Sequence, residues 1–238
     1  MTQSEDVLPQ HLECAFTLAV GGVVLFAGIF PVILAEWSEF LSPWLYLLAA
    51  TVPIQAANIA SCVLPAIRYC PGKTLADVLD LKVPAPDEFV LIIPGTVAVY
   101  FGLAVITGIT AWLLQKTGIP AREQAILEIL KNGPPLLSGT LIPIAVLLAP
   151  AGEELCFRYA IYRKLEFQLG LVPAAGLTAL IFAAVHWNLQ VFPALFLLSL
   201  WLTFLYRKTR TLAAPMAAHA LFNAMTVLFV YLSARYFH

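Results

Sequence analysis

Charged side chains are scarce in this chain of 238 residues. Asp, Glu, Lys and Arg together make up 11% of it, whereas 61% is hydrophobic and the mean hydropathy is +0.88. A soluble globular domain has about 25% charged and about 45–50% apolar residues. A chain with so few charges cannot cover a water-exposed surface. It is therefore predicted to be an integral membrane protein, with residues 1–238 forming a single transmembrane domain.

An excess of positive charge and paired cysteines are also missing. The formal net charge of -1 gives no indication of nucleic-acid binding. Cys14, Cys62, Cys70 and Cys156 include no CxxC pair, which argues against a disulfide framework and a thiolate zinc site. They are interpreted as small buried apolar side chains. Segment 1–13 lacks the basic region of a signal peptide, so the first apolar run is expected to be a retained span.

Long apolar runs dominate what is present. A membrane-spanning helix needs about 20 mostly apolar residues, and seven stretches qualify. They lie at about 14–35, 43–67, 89–114, 136–158, 171–187, 189–206 and 212–236. The sequence thus predicts a polytopic all-α bundle. Between the runs, "TLADVLDL" (74–81) indicates a short capped helix, and "GIPAREQAILEILKNGPP" (118–135) indicates an interfacial amphipathic helix.

Lys and Arg side chains are distributed unevenly over the connections, which indicates how the chain is oriented. Nine follow the second, fourth and sixth stretches: Arg68, Lys73, Lys82, Arg158, Arg163, Lys164, Arg207, Lys208 and Arg210. Four lie on the opposite side: Lys116, Arg122, Lys131 and Arg235. Positive residues favour the cytoplasmic side of a membrane, so the N-terminus is expected in the cytoplasm.

Charged residues within the apolar stretches are the first candidates for function, because a charge at the bilayer centre costs about 2.5–3.5 kcal/mol. The fourth stretch contains Glu153, Glu154 and Arg158. Glu154 and Arg158 are four residues apart, so they share a helix face and can form an ion pair. Glu153 points away from that face and has no partner in its own helix, which leaves its carboxylate available. The alternative is that both glutamates form a purely structural cluster with Arg158.

Two histidines in later stretches extend this polar set. His186 ends the fifth stretch, with Phe182 one turn earlier, and His219 lies in the seventh, with Asn223 four residues later on the same face. A lone histidine in a membrane helix is usually a packing or hydrogen-bonding residue. Two histidines, an asparagine and an unpaired glutamate all need partners in lipid, and one shared polar cavity would satisfy them together.

Such a cavity has two chemical uses. Glu153 and His186 can bind and deprotonate a water molecule, while His219 and Asn223 donate hydrogen bonds to the oxyanion of a tetrahedral intermediate. Alternatively, Glu153, His186 and His219 can hold a zinc ion, with a fourth position left for water. The metal-free arrangement is favoured, because Asn is an uncommon zinc ligand and the HExxH pattern is missing from these residues. Both arrangements predict hydrolysis of an amide bond inside the membrane.

Three motifs stand in order on these stretches: "EELCFR" (153–158), "FAAVH" (182–186) and "HALFN" (219–223). Together they resemble the EExxxR, FxxxH and HxxxN pattern of the CPBP intramembrane proteases, which include type II CAAX prenyl endopeptidases and bacteriocin-processing relatives. The resemblance covers about residues 120–225, the predicted catalytic core. It implies a bundle of eight helices around a conical cavity open to the membrane and the cytosol. With seven predicted spans, either one core helix is broken or the amphipathic segment is the eighth.

The resemblance also implies roles for the motif residues. The catalytic group has two pairs. Glu153 and His186 activate the water, and His219 and Asn223 bind the oxyanion. The supporting group is Glu154, Arg158 and Phe182. For such a family the favoured mechanism is a metal-independent one based on glutamate, so no cofactor is expected, and zinc is the alternative.

The resemblance leaves the substrate open between a prenylated CAAX protein and a bacteriocin leader or another membrane-associated peptide. The compact chain favours a bacterial source and therefore the inner (cell) membrane. Two other function classes are considered. A non-catalytic scaffold or bacteriocin-immunity protein of the same fold is expected to lose motif residues, and all of them are present. A transporter is expected to contain an inverted repeat, which this sequence lacks.

Overall fold

The structure is a computed structural model that describes residues 8–37, 40–119 and 135–236. Within these residues all regular structure is helical, which confirms the predicted fold class. The described helices, in chain order, are α1 (Gln10–Glu36), α2 (Pro43–Tyr69), α3 (Leu75–Val78), α4 (Glu88–Lys116), α5 (135–169), α6 (Leu171–Ala184), α7 (Phe192–Thr209) and α8 (Ala213–Tyr236).

Five helices in the described part of the chain are long and apolar enough to cross a membrane. These spans are Gln10–Glu36, Leu48–Tyr69, Glu88–Lys116, Leu136–Leu169 and Ala213–Ser233. The predicted stretches at about 171–187 and 189–206 are also largely helical. However, α6 has only 14 residues, and α7 has Arg207 and Lys208 in its last turn. The protein is therefore a polytopic helical membrane protein, as the composition predicted.

The two structured connections that the sequence predicts have different outcomes. The short capped helix in "TLADVLDL" is α3, whose first turn is capped by Thr74: its hydroxyl oxygen accepts a hydrogen bond of 3.2 Å from the Asp77 backbone N–H. An amphipathic helix was predicted for 118–135, and residues 120–134 of that segment are outside the described part of the chain. Whether that segment supplies a further helix therefore stays a prediction.

Proline changes the backbone hydrogen bonding of α1 and α5, because it has no N–H to donate. In α1 the π-helical segment Val23–Ile29 directly precedes Phe30 and Pro31. In α5 the π-helical segment Ile144–Leu148 ends just before Pro150. A π-turn pairs an N–H with the carbonyl five residues earlier, so each of these segments displaces ordinary helical bonds.

The displaced bonds leave particular carbonyl groups free for side chains. The Ala149 N–H donates to the carbonyl of Ile144, five residues earlier, instead of to that of Ala145. The next residue in line to donate to the Ala145 carbonyl is Pro150, which has no N–H. In α1, Pro31 likewise removes the usual donor to the carbonyl of Ala27. Both carbonyl groups accept side-chain hydrogen bonds near the cavity described below.

The centre of the bundle is α5. Its middle segment, Leu155–Tyr162, is entirely buried. Helices α1, α2, α6 and α8 all contact α5, and α8 also contacts α4 and α7. The three sequence motifs therefore lie on neighbouring elements: the first on α5, the second at the end of α6 and the third on α8.

Candidate active site

One cavity of about 590 Å³ brings together the four residues predicted to be catalytic. Glu153 reaches it from α5, His219 and Asn223 reach it from α8, and His186 reaches it from the turn after α6. The volume is within the range of about 300–1,000 Å³ that is usual for ligand sites. Much of the remaining wall is apolar or aromatic, from Tyr100, Phe101, Leu103, Ile144, Phe222 and Phe229.

Glu154 and Arg158 form the ion pair that their spacing predicts. Arg158 Nη1 donates to Glu154 Oε1 at 3.0 Å, and Nε lies 3.0 Å from Oε2. Both side chains are 0% exposed. Arg158 Nη2 also donates to the hydroxyl and the carbonyl of Ser199 on α7, at 3.0 and 3.3 Å. Its guanidinium lies 4.9 Å from the centre of the Phe182 ring, at the distance of a cation–π contact.

His219 lies between Glu153 and Glu154 of α5. Its Nδ1 is 2.8 Å from Glu154 Oε1, and its Nε2 is 3.8 Å from Glu153 Oε2. A carboxylate paired with arginine can only accept a hydrogen bond, so Nδ1 carries the proton. Donation from Nε2 to an oxyanion therefore requires a ring that carries both protons. The sequence did not predict the contact between His219 and Glu154.

Asn223 is held by the π segment of α5. Its Nδ2 donates to the carbonyl of Ala145 at 2.8 Å. That carbonyl is available because its usual helical donor is redirected and Pro150 follows. An amide group has two hydrogens, so the second N–H of Asn223 is free to face the cavity. Pro150 of α5 thus helps to position a side chain on α8.

His186 lies in a turn, although the sequence predicted a helix through residue 187. Helix α6 ends at Ala184, and His186 Nδ1 is 2.7 Å from the carbonyl of Phe182. A carbonyl can only accept, so Nδ1 is the donor and the neutral ring keeps a lone pair on Nε2. The centre of the buried Phe182 ring lies 4.9 Å from that of the His186 ring and 5.9 Å from that of the His219 ring, so Phe182 packs against both.

The turn that carries His186 is anchored by its next residue. Trp187 has a left-handed backbone conformation, with a φ of 50°, which is strained for a residue other than glycine. Its indole Nε1 donates to the carbonyl of Ala27 at 2.7 Å, in the π segment of α1. The Asn188 side chain caps the turn by accepting from the Gln190 N–H at 3.0 Å. Sequence reasoning missed Trp187, although its position beside a motif histidine was a usable signal.

A second residue missed by the sequence contacts Glu153. Gln55 of α2 lines the cavity, and its Nε2 donates to Glu153 Oε1 at 3.4 Å. The resemblance begins at about residue 120, so it gave no signal for α2. A glutamine in a membrane helix carries the same signal as the histidines, because its amide needs a partner in lipid.

The zinc alternative is not supported by the side-chain positions. Among the described residues, no three His, Cys, Asp or Glu side chains lie close enough together to share a metal ion. The Nδ1 contacts with Glu154 and with the Phe182 carbonyl do not bear on this point, because each leaves the Nε2 atom of its histidine without that contact. Metal independence stays a prediction.

Comparison with known proteins gives a match for the part of the chain that carries the three motifs. A family model described as "Rce1-like: Type II CAAX prenyl endopeptidase Rce1-like" matches residues 135–225. All three motifs lie within those residues, and the match confirms the resemblance inferred from them. At the level of the family, the match supports a peptidase activity in an integral membrane protein. No curated protein and no solved structure gives a significant match to the chain.

Proposed function

We propose that this protein is an intramembrane endopeptidase that hydrolyses a peptide bond of a membrane-associated protein or peptide. The observation that carries the proposal is the convergence of Glu153, His186, His219 and Asn223 on one cavity within a membrane bundle. The match of residues 135–225 to a prenyl endopeptidase family supports the same reaction class.

In the proposed reaction, Glu153 is the general base and His186 orients the water. The lone pair on His186 Nε2 accepts a hydrogen bond from the water, and the Glu153 carboxylate takes a proton from it. The water oxygen bonds to the carbonyl carbon of the substrate as the carbonyl π bond opens to an oxyanion. When the carbon–nitrogen bond breaks, protonated Glu153 returns its proton to the leaving amine.

Asn223 and His219 are assigned to the oxyanion. The free N–H of Asn223 is a neutral donor on a side chain already held by Ala145. His219 can contribute through Nε2 when its ring carries both protons, a state in which its charge would lie between Glu153 and Glu154. Donors that are positioned before the reaction stabilise developing charge without the cost of reorientation.

Glu154, Arg158 and Phe182 are assigned a supporting role. Arg158 links Glu154 on α5 to Ser199 on α7, and Glu154 in turn holds His219 on α8. Three helices are thereby connected by charge-assisted hydrogen bonds, which are about twice as strong as neutral ones. The group would keep the base and the oxyanion donors at a constant separation.

The assay uses the purified full-length protein in liposomes with two quenched fluorescent probes. One probe is a farnesylated peptide with a CAAX ending, and the other is an unprenylated single-span peptide. We expect wild-type protein to cleave at least one of them and Glu153→Gln to lose that activity. Glu166→Gln is the matched control, because Glu166 pairs with Arg207 and does not line the cavity. Cleavage that persists in folded Glu153→Gln protein would refute the proposal, and a folded wild type without turnover would favour the non-catalytic scaffold.

We further propose that the chain lies in a bacterial inner membrane with a cytoplasmic N-terminus. Eight of the nine Lys and Arg residues counted on the cytoplasmic side support this orientation, and the ninth, Arg158, is buried in α5 and paired with Glu154. An N-terminal fusion to green fluorescent protein should then fluoresce, and a fusion to alkaline phosphatase at the same place should be inactive. An active phosphatase fusion together with a non-fluorescent protein fusion would show that the N-terminus lies on the opposite side of the membrane.

A further inference from the structure

Helix α2 carries a buried polar face that none of the three motifs includes. Gln55, Asn58, Ser61 and Cys62 are only 6%, 3%, 3% and 0% exposed, and they recur at three- and four-residue spacing. Buried polar groups in a membrane helix are costly without partners, so each of these side chains needs one. Of these four residues, Gln55 is the one that lines the cavity.

The orientation of the Gln55 amide follows from its two partners. Asn58 Nδ2 donates to Gln55 Oε1 at 3.3 Å, one turn along the same helix. The nitrogen of the Gln55 amide is then directed at Glu153 Oε1, 3.4 Å away on α5. This assignment agrees with the chemistry, because an ionised carboxylate accepts hydrogen bonds and an amide nitrogen donates them.

Gly152 provides the space in which Gln55 lies. A Cβ atom at position 152 would be 2.5 Å from Gln55 Oε1, 3.3 Å from the Gln55 backbone carbonyl oxygen and 3.4 Å from Asn58 Cβ. The first of these distances is shorter than real Cβ contacts, so any other residue would displace the amide. Small residues let membrane helices approach closely. The glycine directly before Glu153 therefore allows α2 to reach the catalytic carboxylate.

We propose that Gln55 is a positioning residue for Glu153. Its amide lies against Gly152 and holds one carboxylate oxygen, so that the other faces His219 and the cavity. The two contacts engage different oxygens of Glu153: Oε1 with Gln55 at 3.4 Å and Oε2 with His219 Nε2 at 3.8 Å. Rotation of the carboxylate is thereby restricted. The inference rests on the proposed function, since it assigns Glu153 the role of base.

The first test separates positioning from substrate binding. Gln55→Met keeps the length of the side chain and removes the donor. Since a base misplaced by about 1 Å costs about 100-fold in rate, we expect kcat on the cleaved probe to fall by about that factor with KM little changed. Gln55→Glu, which replaces the donor with a second carboxylate, should be at least as slow. Ser61→Ala is the matched control, because Ser61 is buried on the same helix, does not line the cavity and, among the described residues, bonds to the Asn58 carbonyl and Cys62.

The second test needs no turnover. Gly152→Ala should lower the melting temperature in detergent, and the same substitution in a Gln55→Ala background should lower it less, because the amide that the new methyl group meets is gone. Gly139→Ala on the same helix is the control, since a Cβ there would meet nothing within 4 Å. It should leave the melting temperature nearly unchanged.

The outcomes distinguish this inference from the proposed function. Wild-type kcat in folded Gln55→Met, or equal losses of melting temperature from Gly152→Ala in both backgrounds, would overturn the role of Gln55. An inactive wild type would refute the peptidase, while the melting-temperature cycle would still decide whether Gln55 occupies the position against Gly152.

Discussion

His219 and Glu154 are joined by a contact of 2.8 Å between Nδ1 and Oε1, although 65 residues separate them in the chain. Glu154 is also the ion-pair partner of Arg158, and all three side chains are buried. The second glutamate of the first motif therefore has two functions. It neutralises the arginine, and it determines which nitrogen of the His219 ring carries a proton.

Glu154→Gln should destabilise the protein strongly. Removing one partner of a buried ion pair leaves the other charge uncompensated, which costs about 3–5 kcal/mol. Glu166→Gln is the matched comparison, because the Glu166–Arg207 pair is 35% and 40% exposed and such pairs contribute about 0–1 kcal/mol. The measurement is the melting temperature and the yield of monodisperse protein in detergent. Equal stability of the two variants would contradict the structural role of Glu154.

Asn223→Leu should reduce kcat by about 10²–10³-fold with little effect on KM, which is the usual loss when one oxyanion donor is removed. The measurement is steady-state cleavage of the peptide probe at several substrate concentrations. Ser233→Ala, on the same helix but away from the cavity, should retain wild-type kinetics. If folded Asn223→Leu kept its full kcat, Asn223 would not be an oxyanion donor.

Trp187→Phe should lower kcat about tenfold while the melting temperature changes little. The substitution keeps an aromatic ring but removes the N–H that holds the strained His186 turn to Ala27. Trp187 is 78% exposed, so its removal costs little packing. Trp112→Phe, at a 57% exposed position on α4, is the control and should be fully active. Identical kinetics of the two variants would show that the position of His186 does not depend on the hydrogen bond from Trp187 to Ala27.

Chelation should leave the activity intact. Among the described residues, no group of three His, Cys, Asp or Glu side chains lies within reach of one ion. Purified protein treated with 1,10-phenanthroline should cleave the probe at the untreated rate, and elemental analysis should find no stoichiometric zinc. Activity that is lost on chelation and restored by added zinc would refute the metal-free mechanism and leave the residue assignments in place.

Several features of the site were accessible from the sequence. A chain with 11% charged residues had to be a membrane protein. The Glu154–Arg158 pair followed from helix geometry, because residues four apart lie on the same face. The shared cavity of Glu153, His186, His219 and Asn223 followed from the cost of leaving each alone in lipid. The end of α6 before His186 did not follow, because the apolar run continues through the turn.

Contacts between helices were decided only by the tertiary structure. Gln55 and Glu153 are 98 residues apart, and Trp187 and Ala27 are 160 apart. In a soluble helix the apolar stripe shows which side faces the core. In a membrane helix the side that faces lipid is as apolar as the side that faces its neighbours, so the hydrophobic pattern does not determine which residues meet. The sequence by itself therefore determined the class, the motifs and the contacts within one helix, and the packing of the helices determined the partners of each candidate catalytic side chain.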